Sequence, residues 1–143
     1  MAAKKLLILT DHSTFAKYDS IFSLASTARR LLDCEVYAAS RGMPENKNFF
    51  SGESSELTLT VVRLDADLSF ENSNNTFKNG VVEHIERFDG IWLRLDQPIP
   101  QDFLEKMTGL EAALPFINRP SGILETWSKK FLLQFPDRKS TRL

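Results

Sequence analysis

The segment Lys4-Lys5-Leu6-Leu7-Ile8-Leu9-Thr10 constrains the fold most, because an unbroken run of large aliphatic residues is stopped at once by Asp11-His12-Ser13. A run with no polar alternation suits a strand covered on both faces, as in a parallel sheet. A parallel partner demands a crossover connection, and the following residues supply one. Asp19 or Ser20 is placed to cap a helix by accepting from its leading N–H groups. Ile21, Leu24, Ala25, Ala28, Leu31 and Leu32 recur at helical spacing and form one apolar stripe. Residues 35–39 read as the next strand. The unit is strand–helix–strand, expected to close right-handed with its strands parallel.

Residues 40–56 are polar and broken by Gly42, Pro44 and Gly52, and residues 57–64 alternate as a third strand nearer an edge. Residues 65–80 carry Asn72, Asn74, Asn75 and Asn79 and read as a long loop. Val81, Val82, Ile85 and Phe88 predict a short amphipathic helix. Residues 90–95 predict a fourth strand, residues 102–114 a helix with Phe103, Leu104, Met107, Leu110 and Leu114 on one side, and residues 115–118 a brief strand. A last helix begins near Ser121 and carries Ile123, Leu124, Trp127, Phe131 and Phe135, the aromatics reading as core. The alternation of elements predicts an α/β domain with a mainly parallel sheet of about five strands.

The chain has 143 residues, enough for one such domain, with 18 Lys+Arg against 19 Asp+Glu and a net charge of −1. That balance gives no basic footprint for nucleic acid. Cys34 is the only cysteine, so no intrachain disulfide and no cysteine-based zinc site can form. Leu31, Leu32 and Val36 around it predict a buried, inert thiol. His12 and His84 are too few and too separated for a metal cluster. The run at Leu6 is too short for a signal sequence or membrane span, so a cytoplasmic protein with no membrane partner is expected.

No G-x-G-x-x-G or Walker sequence is present, and the first turn, residues 10–14, lacks glycine, which disfavours a dinucleotide cradle. Asp11, Asp65 and Lys129 partly mimic the residues of a phosphoacceptor receiver domain, but the acidic pair after its first strand is missing. Arg94 and Asp96 fall at the carboxyl end of a strand, where open parallel sheets place ligands. Arg94 there either pairs with Asp96 or meets an anionic ligand with its fork of donors. Lys17, Tyr18, Asp19 and Ser20 precede the first long helix, whose N-terminus either receives a carboxylate or is simply capped. Lys129 and Lys130 read as surface lysines.

The string Gly90-Ile91-Trp92-Leu93-Arg94-Leu95-Asp96-Gln97-Pro98, a helix, a short strand ending in Asn118-Arg119-Pro120, then Lys129, Phe131 and Phe135 resemble prokaryotic glutathione synthetases in order and spacing. Lys17-Tyr18-Asp19-Ser20 resembles that family's Lys-Asp-Ser region. The resemblance spans most of the chain outside roughly 41–80. It implies a Rossmann-like three-layer pre-ATP-grasp domain over residues 1–135 and a tail at 136–143, with the family's ATP-grasp domain expected to be absent from this chain. It also implies amide formation from a carboxylate and an amine with ATP and Mg²⁺, this domain supplying substrate contacts and being inactive alone. Arg94 would take the carboxylate of a small peptide or amino-acid substrate, with Lys17, Tyr18, Asp19 and Ser20 nearby. Lys129 would be the first of two lysines on the ATP phosphates. Tyr18 stands where the family more often has a basic residue, and Gln97 where it has proline. A homodimer and an ATP-grasp domain or subunit are the implied partners. The alternative is a free-standing binding or oligomerisation module using Trp127, Phe131 and Phe135 as its surface.

Overall fold

A computed structural model of the protein describes residues 4–31, 34–117, 120, 121 and 123. The strands are β1 (Lys4–Thr10), β2 (Cys34–Ser40), β3 (Thr58–Arg63), β4 (Val81–His84), β5 (Gly90–Leu93) and β6 (Phe116–Ile117). The helices are α1 (Ile21–Leu31), α2 (Lys47–Ser51), α3 (Ser73–Thr76) and α4 (Gln101–Thr108). The described strands form a six-stranded sheet in the order β4-β3-β2-β1-β5-β6. β1 is parallel to β2, with Leu7 opposite Tyr37, and parallel to β5, with Leu7 opposite Ile91. β5 and β6 are also parallel, whereas β3 runs antiparallel to both β2 and β4.

The apolar run of β1 has the environment its composition predicts. Leu7, Ile8 and Leu9 are all at 0% exposure. Leu7 and Leu9 join a core cluster with Phe49 and Phe50 of α2 and Phe103, Leu104 and Met107 of α4. Ile8, whose side chain leaves the strand in the opposite direction, joins a second cluster with Ile21, Ala25 and Ala28 of α1 and Leu68 and Phe77. Each such buried aliphatic is worth about 1.5–3 kcal/mol, which makes β1 the most heavily anchored strand.

Several expectations need correction. The sheet has six strands rather than about five, and its β3–β4 side is antiparallel. Val81, Val82, Ile85 and Phe88 do not lie on a helix. Residues 81–84 are the edge strand β4, followed by a 3-10 turn at Ile85–Arg87, with the Ile85 N–H on the Leu57 carbonyl at 2.8 Å. Only Ile85 and Phe88 are buried, while Val81 and Val82 are exposed, and β-branched residues at an open edge favour extended backbone. The helix expected to reach 114 stops at Thr108 and continues as turns that still bury Leu110 and Leu114. The polar stretch 40–56 hides α2, and the loop 65–80 contains α3. Cys34 is half-buried rather than buried. Leu32, Asn118, Arg119, Leu124, Trp127, Lys129, Lys130, Phe131, Phe135 and the tail 136–143 lie outside the described residues. Among those described, no helix is long and apolar enough to cross a membrane.

Asn46 repairs the sheet where the β2–β3 ladder stops. That ladder pairs Tyr37 with Arg63 and Ala38 with Val62. Beyond it, the fully buried Asn46 amide replaces a strand: its Oδ1 accepts from the Thr60 N–H at 2.8 Å, and its Nδ2 donates to the carbonyls of Thr60 at 2.9 Å and Ser40 at 3.2 Å. Stranding such buried groups costs about 1–3 kcal/mol each. Asn46→Ala is expected to lower stability by about 3 kcal/mol, read as a lower urea midpoint with an unchanged m-value. A loss below about 0.5 kcal/mol would show that the amide is dispensable.

Candidate functional site

The chain leaves β1 through α1 to reach β2 on one side and later returns from β4 to β5 on the other. The connections after β1 and β5 therefore diverge at the carboxyl ends of the parallel strands, the end at which sheets of this type place ligands. The ladder extends one step beyond each strand here, with the Arg94 N–H on the Leu9 carbonyl at 2.8 Å and the Arg41 N–H on the Thr10 carbonyl at 2.7 Å. Two guanidinium groups are thereby aimed from fixed backbone.

Arg94 donates through Nη2 to Asp19 Oδ1 at 3.1 Å and to the Ser20 hydroxyl, while its guanidinium lies 6.0 Å from the centroid of the Trp92 ring. Of the two roles open to Arg94 in the sequence, the ion pair with Asp96 is not formed; Asp19 takes that place. Asp19 also caps α1, its Oδ1 accepting from the Ile21 N–H at 3.1 Å. Lys17 and Tyr18 are exposed, Tyr18 at 89%, with the Lys17 ammonium 5.7 Å from the Tyr18 ring centroid. Among the described residues nothing bonds either of them to Arg94, so the structure brings together Arg94, Asp19 and Ser20 and leaves Lys17 and Tyr18 at the rim. Lys129 lies outside the described residues. The Arg94 and Asp19 side chains are 32% and 23% exposed, so the pair is partly hydrated and contributes about 1 kcal/mol or less. Nε and Nη1 of Arg94 have no hydrogen-bond partner among the described residues.

Arg41 went unnoticed in the sequence. Its Nε donates to Asp11 Oδ2 at 2.9 Å, its Nη1 to the Pro98 carbonyl at 2.9 Å, and its Nη2 to the Asp96 carbonyl at 3.2 Å. One side chain thus ties together the turns after β1, β2 and β5. Asp11 is 7% exposed, and its Oδ1 accepts from the Ser13 N–H at 3.0 Å and the Ser13 hydroxyl at 2.5 Å. Burial alone would push the Asp11 carboxyl up; the bonds from Ser13 and Arg41 outweigh it and hold it below its ordinary 3.8. An arginine directly after a buried parallel strand was the available signal.

Beside this pair, the fully buried Ser40 hydroxyl meets His12 Nδ1 at 2.5 Å and accepts from the N–H groups of His12 at 2.9 Å and Gly42 at 3.0 Å. The His12 ring stacks on Phe77 with centroids 4.8 Å apart. Burial holds the imidazole below its ordinary 6.5, against the opposing pull of the Asp11 charge. Among the described residues no group of three or more His, Cys, Asp or Glu side chains could hold a metal ion. A cavity of about 330 Å³ lies at the other end of the sheet, lined by Arg29, Cys34, Glu35, Val36, Arg63, Leu64 and Asp65. Its charges largely satisfy one another, Arg63 Nε meeting Asp65 at 2.9 Å and Nη1 meeting Glu35 at 3.8 Å.

No family model matches the chain, and no curated protein matches it with significance.

The Asp11–Arg41 pair has a pH signature. A carboxyl held below its ordinary value stabilises the fold above about pH 3.8, and that contribution is lost as pH falls through the folded value. Arg41→Gln is expected to cost about 2 kcal/mol at neutral pH, with the two stability curves converging below pH 3.8. Denaturation curves that stay parallel across that range would contradict the coupling.

Proposed function

We propose that the chain is the substrate-side domain of a glutathione synthetase-like, ATP-dependent carboxylate–amine ligase, and that Arg94 holds the carboxylate of a small peptide or amino-acid substrate. The observation that carries this reading is the position of Arg94: at the carboxyl end of β5, fixed on Asp19 and Ser20, with two donor nitrogens that no described residue engages. A guanidinium already half-neutralised by Asp19 takes a carboxylate through those remaining donors, and the incoming anion weakens or replaces the Asp19 contact. The helices against both faces of the sheet are consistent with a Rossmann-like three-layer domain, which is the architecture that this reading assigns.

The described residues do not themselves fit ATP or Mg²⁺. The turn after β1 has no glycine, and no carboxylate cluster suited to a metal is present among them. In this reading the nucleotide is held by Lys129 together with an ATP-grasp domain or subunit, and the role of residues 4–117 is to bind and orient the carboxylate. The assembly would work in the cytoplasm. A homodimer, and the alternative of a binding or oligomerisation module, find support in the aliphatic residues exposed on both sheet edges, Val81 and Val82 of β4 and Ile117 of β6.

Isothermal titration separates the readings. The ligase reading expects weak binding of γ-glutamylcysteine, lowered at least about tenfold by Arg94→Ala, and no heat from ATP–Mg²⁺. Peptide binding that is absent, or that survives Arg94→Ala unchanged, would remove its basis.

A further inference from the structure

We propose that His12 and Ser40 form a proton-operated latch between the turns after β1 and β2, shut while the ring is neutral and released when it gains a second proton. A serine hydroxyl has one hydrogen to donate and two lone pairs to accept with. Both lone pairs of Ser40 Oγ are used by backbone N–H groups, those of His12 at 2.9 Å and Gly42 at 3.0 Å. The hydroxyl hydrogen therefore points at His12 Nδ1, 2.5 Å away, and Nδ1 must be the acceptor. This assigns the neutral ring with its proton on Nε2. A second proton would go to Nδ1 and face the oxygen of a fully buried hydroxyl with no lone pair left. The ring must then leave, or Ser40 must drop one of the turns it holds.

The charged groups around the ring do not undo this. From the end of β1 comes Asp11, whose oxygens are engaged by Ser13 and Arg41. From the end of β2 comes Arg41, committed to Asp11 and two carbonyls. Beside α3, Phe77 brings an apolar ring at 4.8 Å. Burial therefore outweighs the attraction of Asp11 and favours the neutral ring.

Release has a path outward. Gly42 lies flat against the ring; a Cβ there would come within 3.0 Å of His12 Cε1. Gly42 adjoins Arg41, the residue that clamps Asp11 and the Asp96 and Pro98 carbonyls. A ring that moves therefore frees the Arg41 turn and slackens the clamp. The sign follows: stability from the latch is complete above pH 6.5 and declines as pH falls toward the lower folded value. The proposal does not depend on any ligand.

The test is a ¹⁵N NMR titration of the whole chain from about pH 8 to about pH 4.5, a span that brackets an ordinary imidazole. The expected result is an Nε2–H tautomer for His12 at neutral pH and a midpoint below 6.5, with the Arg41 and Gly42 amides shifting at the same midpoint. In Ser40→Ala the midpoint rises, because the neutral ring has lost its donor. His12→Asn, which keeps an acceptor near the Nδ1 position and cannot titrate, should leave the Gly42 amide insensitive to pH and guards against misfolding of the serine variant. An Nδ1–H tautomer, or Arg41 and Gly42 amides that ignore the ring's midpoint, would overturn the proposal.

Discussion

The burial of β1 on both faces, between two parallel neighbours, is the constraint from which the rest of the molecule follows. Leu7, Ile8 and Leu9 have no exposure, so every polar group near them must be a backbone group paired along the ladders to β2 and β5. Parallel pairing on both sides forces crossovers, and a chain that visits β2 and later β5 must send its connections in opposite directions. Side chains carrying charge are thereby expelled to the ends of the strands. Asp11, Arg41 and Arg94 gather at the carboxyl ends for that reason, each one step beyond or beside a strand that has no room for it.

The two arginines at that end differ in how far their donors are committed. Arg41 has donor bonds to a buried carboxylate and two carbonyls from a distant loop. Removing it would leave Asp11 charged and poorly hydrated, which is the expensive way to break an ion pair. Arg94 has one nitrogen engaged and a partner open to water, which is the weaker kind of pair. The first arrangement holds loops in place, and the second leaves capacity for an anion. A similar division applies to lysine: the Lys106 ammonium is spent on the carbonyls of Phe49, Ser54 and Glu56 and on the Phe49 ring, 4.1 Å from its centroid, while Lys17 stays at the rim.

The elements that were legible in the sequence are those whose cause is local. The apolar run of β1, the stripe of α1 and the Asp19 cap each follow from neighbouring residues alone. The misreading at residues 81–88 shows where local pattern fails: Val81, Val82, Ile85 and Phe88 have helical spacing, yet the pairing of β4 with β3 overrides it, opposing Val82 to Thr60. Arg94 could be singled out because large apolar residues flank it, although Asp19, its partner 75 residues away, could not be told from the sequence, where only nearby Asp96 offered itself. Arg41 had only its place directly after a buried strand to mark it, and Asn46 had nothing, since their bonds run to Pro98 and Thr60, far along the chain. The Ser40–His12 contact was invisible for the same reason.

The claim that the carboxyl ends of β1 and β5 form the ligand site is open to direct mapping. Amide chemical-shift changes recorded while γ-glutamylcysteine is added to the ¹⁵N-labelled chain would locate the contact without presuming it. The account predicts perturbations concentrated at Asp19, Ser20 and Ile21 and at Arg94, Leu95 and Asp96. Perturbations centred on Cys34, Glu35 and Arg63, at the opposite end of the sheet, or none at saturating peptide, would contradict it.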